Sequence, residues 1–510
     1  MAVIKHFVKV IFPFLYDKKA AAGVGEVIVS TKKGIQYKLF QSIGFEHIEL
    51  RKGLTDLFSS EENKSKIMYG YRIDKNMREQ VGLPKKVTES ISFFCRAKEC
   101  SEPYEVEIVD VVLYLFESEI GFVEVEFKHH TDEIEKIISC NYFLSEIGDS
   151  KNYFVIEQKN WCEESQRIEI QEKRVTLAEL LKRVLDHIPG VVDFYSGLPW
   201  ERVYKKGITY SYVLLSERAE NFDELLFRLR LNYKESYKAP VSDIKTEPLL
   251  LQQFENSYWV SSYNGAANVS IKIDDPVTNS FFENDFYIKM KNEYFILFLA
   301  VLHQRYTILK LMWKMSELDR MDLDYKAMKE QLIGVRKYQA EAASLKFRDF
   351  FRFPSYIQHI NTYYEYLYKT LCVEEMYINL TQELSNIEEI CAVYVKRISQ
   401  FEAIRRKIRK AIVKTITTLI GAGIGVITLL NESWSILETT CGIPTGTLTV
   451  PVLLVTTILA VPSVIGVMEA FGNVRELIKE KKESESEMIM PEKRKKKNRR
   501  IEKQKIVAIK

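Results

Sequence analysis

Toward the end of this 510-residue chain, Lys414, Thr418, Gly421, Gly425, Thr428 and Glu432 recur at steps of four and three. That spacing puts all six on one face of a helix. Every one of them is polar or small. A stripe of hydroxyls and thinly covered backbone ending in a carboxylate is chemistry for lining an aqueous pore when several copies surround an axis. The opposite face carries Ile416, Leu419, Ile427 and Leu430. Gly421-x-x-x-Gly425 equally suits close packing of membrane helices, and the spacing accommodates both uses. The ends disagree about the ion: a ring of Glu432 attracts cations at one mouth, whereas a ring of Lys414 repels them at the other. Selectivity stays open.

Other residues with reactive side chains form weaker patterns. His129-His130 with Asp132 and Glu133 has the atoms for a metal, but neighbouring strand residues point to opposite faces, so a strand end is expected there. Gly23-x-Gly25 lacks the third glycine and the helix of a phosphate-binding loop. No G-x-x-x-x-G-K, H-E-x-x-H or G-x-S-x-G occurs, and no nucleophile has a local base, so neither an enzyme nor a required cofactor is expected. The cysteines number seven, without a C-x-x-C pair, which fits a reducing compartment rather than a disulfide framework or a zinc ribbon. The basic run Lys493–Arg500 resembles a nucleic-acid patch. Beside a membrane anchor it suits anionic lipid or a solvated tail instead, and DNA is not an expected partner.

The elements that must hold the stripe are legible in charge and hydropathy. Thr415–Leu430 is free of charge, and with Ala411–Lys414 it reaches the roughly 20 residues that span a bilayer core. Lys414 can snorkel to the surface. Thr447–Met468 is a second run of 22 residues without charge, interrupted by Pro451 and Pro462. Lys396–Lys414 carries eight Lys/Arg against one acid, the residues after Arg475 are again basic, and Asn431–Gly446 has neither Lys nor Arg. The positive-inside rule then places both termini in the cytosol and the link outside. A multi-pass protein of the cell membrane is expected. The formal net charge of +3 hides this distribution.

Upstream, the pattern is first α/β and then helical. Val3–Leu15 reads as a first strand, since Lys5, Lys9 and Pro13 break up any signal segment. Val111–Phe116, a turn at Ser118–Gly121 and the alternation of Val123, Val125 and Phe127 with Glu124 and Glu126 predict a half-buried hairpin. Thr131 is expected to cap a helix with Asp132 and Glu133 in its first turn. Thr176 and Glu179 form a capping box, and Asn264-Gly265 marks a two-residue hairpin turn. Tyr294–Leu302 is too short to span a membrane and reads as a core helix. From Tyr377 through Leu380, Leu384, Ile387, Cys391, Tyr394, Ile398, Phe401, Arg405 and Ile408 to Ile412, a heptad repeat demands a partner, one that would meet it between subunits. No Pro or Gly separates that repeat from the first span, so one helix of about 85 Å is expected from Val373 to Leu430.

The resulting fold class is an α+β cytosolic domain followed by long helices and a C-terminal two-helix transmembrane hairpin. Residues 1–278 are the α/β domain and 279–372 a cytosolic helical region. Residues 373–430 are a stalk helix entering the first span at about 411–430, and 431–446 an external loop. The second span is 447–468, and 469–510 a basic cytosolic tail.

This order of elements resembles the CorA family of divalent-cation transporters, most closely over Asn279–Lys482. The resemblance implies a homo-oligomer, a pentamer in that family, with membrane lipid around it and Mg2+ as transported or regulatory ion. The family's first span ends in a Gly-Met-Asn signature that forms an outer ion-selecting ring. Here the corresponding residues are Leu430-Asn431-Glu432-Ser433, and Asn431 is the one counterpart. Long divergent relatives occur beside prokaryotic antiviral systems, including some type III CRISPR loci. There the resemblance implies a membrane effector gated by a small nucleotide bound to the cytosolic domain. The alternatives are a constitutive divalent-cation transporter and a non-conducting membrane-tethered scaffold.

Overall fold

The computed structural model describes residues 2–17, 28–32, 35–43, 50, 68–95, 102–162, 167–188, 190–193, 206–234, 236–240, 250–318, 325–346, 354–440, 472, 475–476 and 478–479. The chain divides into two compact units: Met1–Glu317 with Lys337–Leu384, and Leu318–Arg336 with Ser385–Lys510.

The first unit is built on a sheet. Its strands are β1 (Val3–Leu15), β2 (Ile28–Lys32), β3 (Ile35–Lys38), β4 (Phe40–Ser42), β5 (Met68–Ile73), β6 (Ile91–Phe94), β7 (Tyr104–Phe116), β8 (Ile120–His129), β9 (Tyr153–Cys162), β10 (Arg167–Val175), β11 (Val192–Asp193), β12 (Ile208–Leu215), β13 (Leu250–Phe254), β14 (Ser257–Ser262) and β15 (Gly265–Ile271). Among the described residues thirteen of these form one sheet, in the order β10-β9-β6-β7-β8-β1-β12-β15-β14-β13, with β5 and β4 beside β7 and β11 on β1. Only β12 and β15 run parallel among these pairs. The helices are α1 (Ile134–Ser145), α2 (Leu177–Leu185), α3 (Phe222–Leu231), α4 (Pro276–Glu283), α5 (Asp285–Lys289), α6 (Phe295–Leu318), α7 (Tyr325–Ser344), α8 (Gln358–Thr370) and α9 (Val373–Thr440). A mixed sheet followed by long helices is therefore the fold.

β1 is central and largely apolar on both faces, as a strand covered by helices on each side must be. Val8, Val10, Phe12 and Phe14 join a core closed by α1 and α2, and further along the same face Val213, Leu215 and Val269 pack on α1 and α3. Phe7, Tyr210, Tyr212 and Trp259 point the other way, into an aromatic layer with Phe286, Tyr294, Phe298 and Tyr363. The two buried tyrosines keep hydrogen-bond partners: Tyr210 donates to the Met290 carbonyl (2.9 Å) and Tyr212 to that of Phe282 (2.8 Å). Met290 opens a π-helical turn, Met290–Tyr294, where the ordinary helical register is broken. Within the helical run Pro276–Ser316 an 18-residue stretch is apolar enough to cross a membrane, with mean hydropathy 1.4, yet 83% of that stretch is buried. It includes the expected core helix over Tyr294–Leu302.

Several local readings hold. β1 spans Val3–Leu15, β7 and β8 form the hairpin, and the Thr176/Glu179 capping box opens α2. Others are corrected. Glu124 and Glu126 face inward rather than to solvent, at 1% and 6% exposure, because helices cover both faces of the sheet. Asp132 and Glu133 precede α1 instead of filling its first turn. Glu133 is the N-cap, and the Thr131 hydroxyl accepts from the Glu133 amide. The β14–β15 turn residues are Tyr263 and Asn264, since Ser262 pairs with Gly265. Gly265 is needed for close approach: a Cβ there would lie 2.4 Å from Thr209 Oγ1. Asn279 lies inside α4, and its amide clamps the Ile273 backbone. The shift from strand to helix is thus a change of element within one unit, not a division between units.

α9 extends ten residues past Leu430 to Thr440, since Asn431–Thr440 contains no Pro or Gly to end it. The 431–446 link is helical over its described part. Thr447–Met468 and Lys493–Arg500 lie outside the described residues.

Candidate functional site

α9 is a single helix of 68 residues, on the order of 100 Å long. Along it Lys414, Thr418, Gly421, Gly425, Thr428 and Glu432 fall in one stripe about 27 Å long, with Asn431 one position off its line. Gly425 is half-exposed and the others are exposed. The Thr418 hydroxyl donates to the Lys414 carbonyl and that of Thr428 to the Ile424 carbonyl, both at 2.8 Å. With the proton engaged along the helix, each hydroxyl oxygen keeps its lone pairs outward. The two hydroxyls therefore present acceptors along the stripe, while Lys414 at its start presents a cation. A Cβ added at Gly421 or Gly425 would meet nothing within 4 Å, so no contact among the described residues demands glycine at either position. A second stripe, turned by about 120°, consists of Val413, Ile416, Ile420, Ile424 and Ile427, each between 52 and 63% exposed.

The heptad repeat upstream serves the chain itself in part. Leu380, Leu384, Cys391 and Ile408 are buried, while Ile387 and Ile398 are half-buried and Ile412 is exposed. Leu384 was expected to await a partner subunit, but its own chain covers it. In the second unit α7 runs antiparallel to α9, with Arg336 Nε 3.3 Å from Glu388 Oε1 and Cys391 Sγ 3.9 Å from Gln331 Oε1.

α9 begins at a clasp within the first unit. Cys372, between α8 and α9, has a left-handed backbone (φ 51°) and receives a hydrogen bond on Sγ from the Tyr263 hydroxyl (3.0 Å). The Arg305 guanidinium sits 4.0 Å from the centre of the Tyr263 ring and donates to the Leu371 carbonyl (2.7 Å). The bond to Cys372, more than burial, holds the Tyr263 phenol above its ordinary range. The β14–β15 turn, α6 and the start of α9 are thus joined through three side chains. No sequence signal marked them, since a turn tyrosine, a helical arginine and an isolated cysteine share no motif.

Buried charges join the sheet to α6 and the π turn before it. Lys9 Nζ lies 2.7 Å from Glu124 Oε1, 4.0 Å from Glu126 Oε2 and 3.9 Å from the centre of the Phe295 ring. Tyr114 donates to Glu124 (2.7 Å), and Lys291 pairs with Glu126. Burial raises the Glu124 carboxyl above the usual range against the pull of Lys9. At the β7–β8 turn, Lys310 bonds Glu119 (2.6 Å) and Ser118 bonds His303 (2.8 Å). His129 and His130 diverge as strand neighbours do: His129 bonds Asn141 (2.8 Å) and His130 pairs with Glu107 (2.9 Å). Among the described residues no group of three or more His, Cys, Asp or Glu could hold a metal ion.

Compared with protein-family models, curated proteins and solved structures, the chain matches none.

Proposed function

We propose that copies of this chain assemble into a CorA-like cation channel or transporter in the cell membrane, whose large cytosolic unit senses a ligand or ion and moves the long helix. The observation that carries this reading is the continuity of α9. Its residues 373–384 belong to the sheet-bearing unit, and the same unbroken helix then passes through a charge-free stretch with an acceptor stripe on one side and bare isoleucines on another. A hydrocarbon environment suits exposed isoleucines and threonines bonded to their own helix, because it leaves no backbone group unsatisfied. The run Thr447–Met468 supplies the second span on sequence grounds. Around an axis, Glu432 and Asn431 would ring the outer mouth and Lys414 the inner one.

The test is ion flux in liposomes, with oligomer size checked alongside. Glu432→Gln should weaken cation entry without loss of assembly, and Gly425→Leu should block passage. Ile416→Leu and Ile427→Leu should change flux little, since volume-conserving apolar swaps disturb packing little. Normal conduction by assembled Gly425→Leu protein would sink the pore assignment. Conduction of Mg2+ by purified protein without any cytosolic factor would favour a constitutive transporter, and an intact oligomer without flux a scaffold.

A further inference from the structure

The first unit contains an open cavity of about 950 Å³, lined by the 3-10 helix Lys75–Val81 with the loop that follows it, by β9 and β10, and by α2. That volume is of the size that small-molecule sites occupy. Four cations line it, Lys85, Lys86, Lys173 and Arg183, against two carboxylates, Glu79 and Glu89. They come from separate segments: the loop after the 3-10 helix, the end of β10, and α2. Among the described residues none of the four is held in an ion pair. With two carboxylates against four cations, the lining keeps an excess of positive charge that an anion would offset.

The walls are built rather than loose. Arg78, buried behind the loop, donates from Nε to the Pro84 carbonyl (2.9 Å) and from Nη2 to that of Ile108 (2.6 Å), which ties the loop to β7. Gly82 ends the 3-10 helix with φ 79°, a conformation favoured by glycine. A Cβ at that position would lie 1.8 Å from Arg183 Nη1, so the guanidinium rests directly against the bare glycine backbone. The Thr176/Glu179 capping box sets the start of the helix that carries Arg183. Ile156 and Val175 add an apolar wall.

We propose that this cavity binds a small organic phosphate, its phosphate taken by Arg183 with Lys173 and the Lys85-Lys86 pair, and its apolar part laid on Ile156 and Val175. A planar guanidinium accepts phosphate in a two-point contact. The excess of two positive charges over the two carboxylates matches the roughly −1.5 to −2 charge of a phosphate monoester at neutral pH. The proposal rests on the sensing role given to the first unit. Its test reads binding without conduction, so that the two can fail separately.

The experiment is titration calorimetry on the full-length protein in detergent, with adenosine monophosphate and inorganic pyrophosphate as probes and sulfate as a competitor at matched ionic strength. Saturable binding is expected, with the organic phosphate the tighter ligand. Arg183→Gln should weaken it by about tenfold or more, the worth of a charged hydrogen-bonded contact. Lys85→Gln with Lys86→Gln, both exposed and therefore safe for folding, should weaken it similarly. Lys151→Gln, an exposed control away from the cavity, should bind as the parent does. Any one of three results overturns the site: no saturable binding of either probe at millimolar concentration, parental affinity in the folded double-lysine variant, or displacement by sulfate as readily as by pyrophosphate.

Discussion

His6 and His129 stack with ring centres 5.4 Å apart, and their hydrogen bonds require His6 to be neutral: its Nε2 accepts from the His129 amide (3.2 Å). Burial, reinforced by the neighbouring imidazole, lowers His6 to about 3, and burial lowers His129 to about 4. Between those values and the ordinary 6.5, the unfolded chain binds more protons than the folded one. The stabilisation is therefore complete above about pH 6.5 and is lost as the pH falls toward 4. Glu124 and Asp110, both raised by burial, act in the opposite sense, because they favour the folded chain once protonated. The informative quantity is thus the difference between the parent and His6→Gln, which keeps an acceptor but does not titrate. The thermal midpoint of the parent should fall faster than that of the variant between neutral pH and about pH 4.5. Parallel pH profiles would show that the pair contributes nothing to acid sensitivity.

Among the elements, α9 has two kinds of apolar surface, and they call for different partners. Leu384 is buried within its own chain, so Leu384→Ala should destabilise the first unit by about 2–5 kcal/mol, the usual range for emptying such a site. Ile387 and Ile398 are half-buried and have surface left for a second subunit. Ile387→Asp with Ile398→Asp should reduce the oligomer in mild detergent while the first unit unfolds at its parental temperature. An oligomer of unchanged size would mean that the whole heptad stripe packs within one subunit and that α9 is not the assembly axis. The isoleucines from Ile416 to Ile427 are more exposed, in keeping with a place against lipid or a neighbouring span.

For the whole molecule, the proposed membrane channel carries an expected orientation, given by the distribution of charge. Eight Lys/Arg between Lys396 and Lys414 stand against none between Asn431 and Gly446, and short loops with such a bias keep their basic side in the cytosol. Cys441 lies within the second of these segments and reports on it. A membrane-impermeant thiol reagent should label it in intact cells, whereas reporters fused before Met1 and after Lys510 should both be cytosolic. Labelling only after lysis would reverse the orientation or remove the second span.

What residues could be read for by themselves was decided over a few positions at a time. Val3–Leu15, the Thr176/Glu179 box and the unbroken helix from Val373 each follow from side-chain period, cap chemistry or the absence of Pro and Gly, all of which act within a turn or two. The candidate stripe from Lys414 to Glu432 was legible for the same reason, because a continuous helix fixes which residues share a face. The tertiary structure decided everything that depends on which strands become neighbours. Glu124 and Glu126 alternate as solvent-facing residues do, yet the helices that follow β15 cover them and supply Lys291. Gly265, which looked like a turn residue, is glycine because Thr209 lies against it. The clasp of Tyr263, Arg305 and Cys372, and the cavity that gathers Lys85, Lys173 and Arg183, join segments far apart in the chain. Their partners are set by sheet order and helix packing, which no local period encodes.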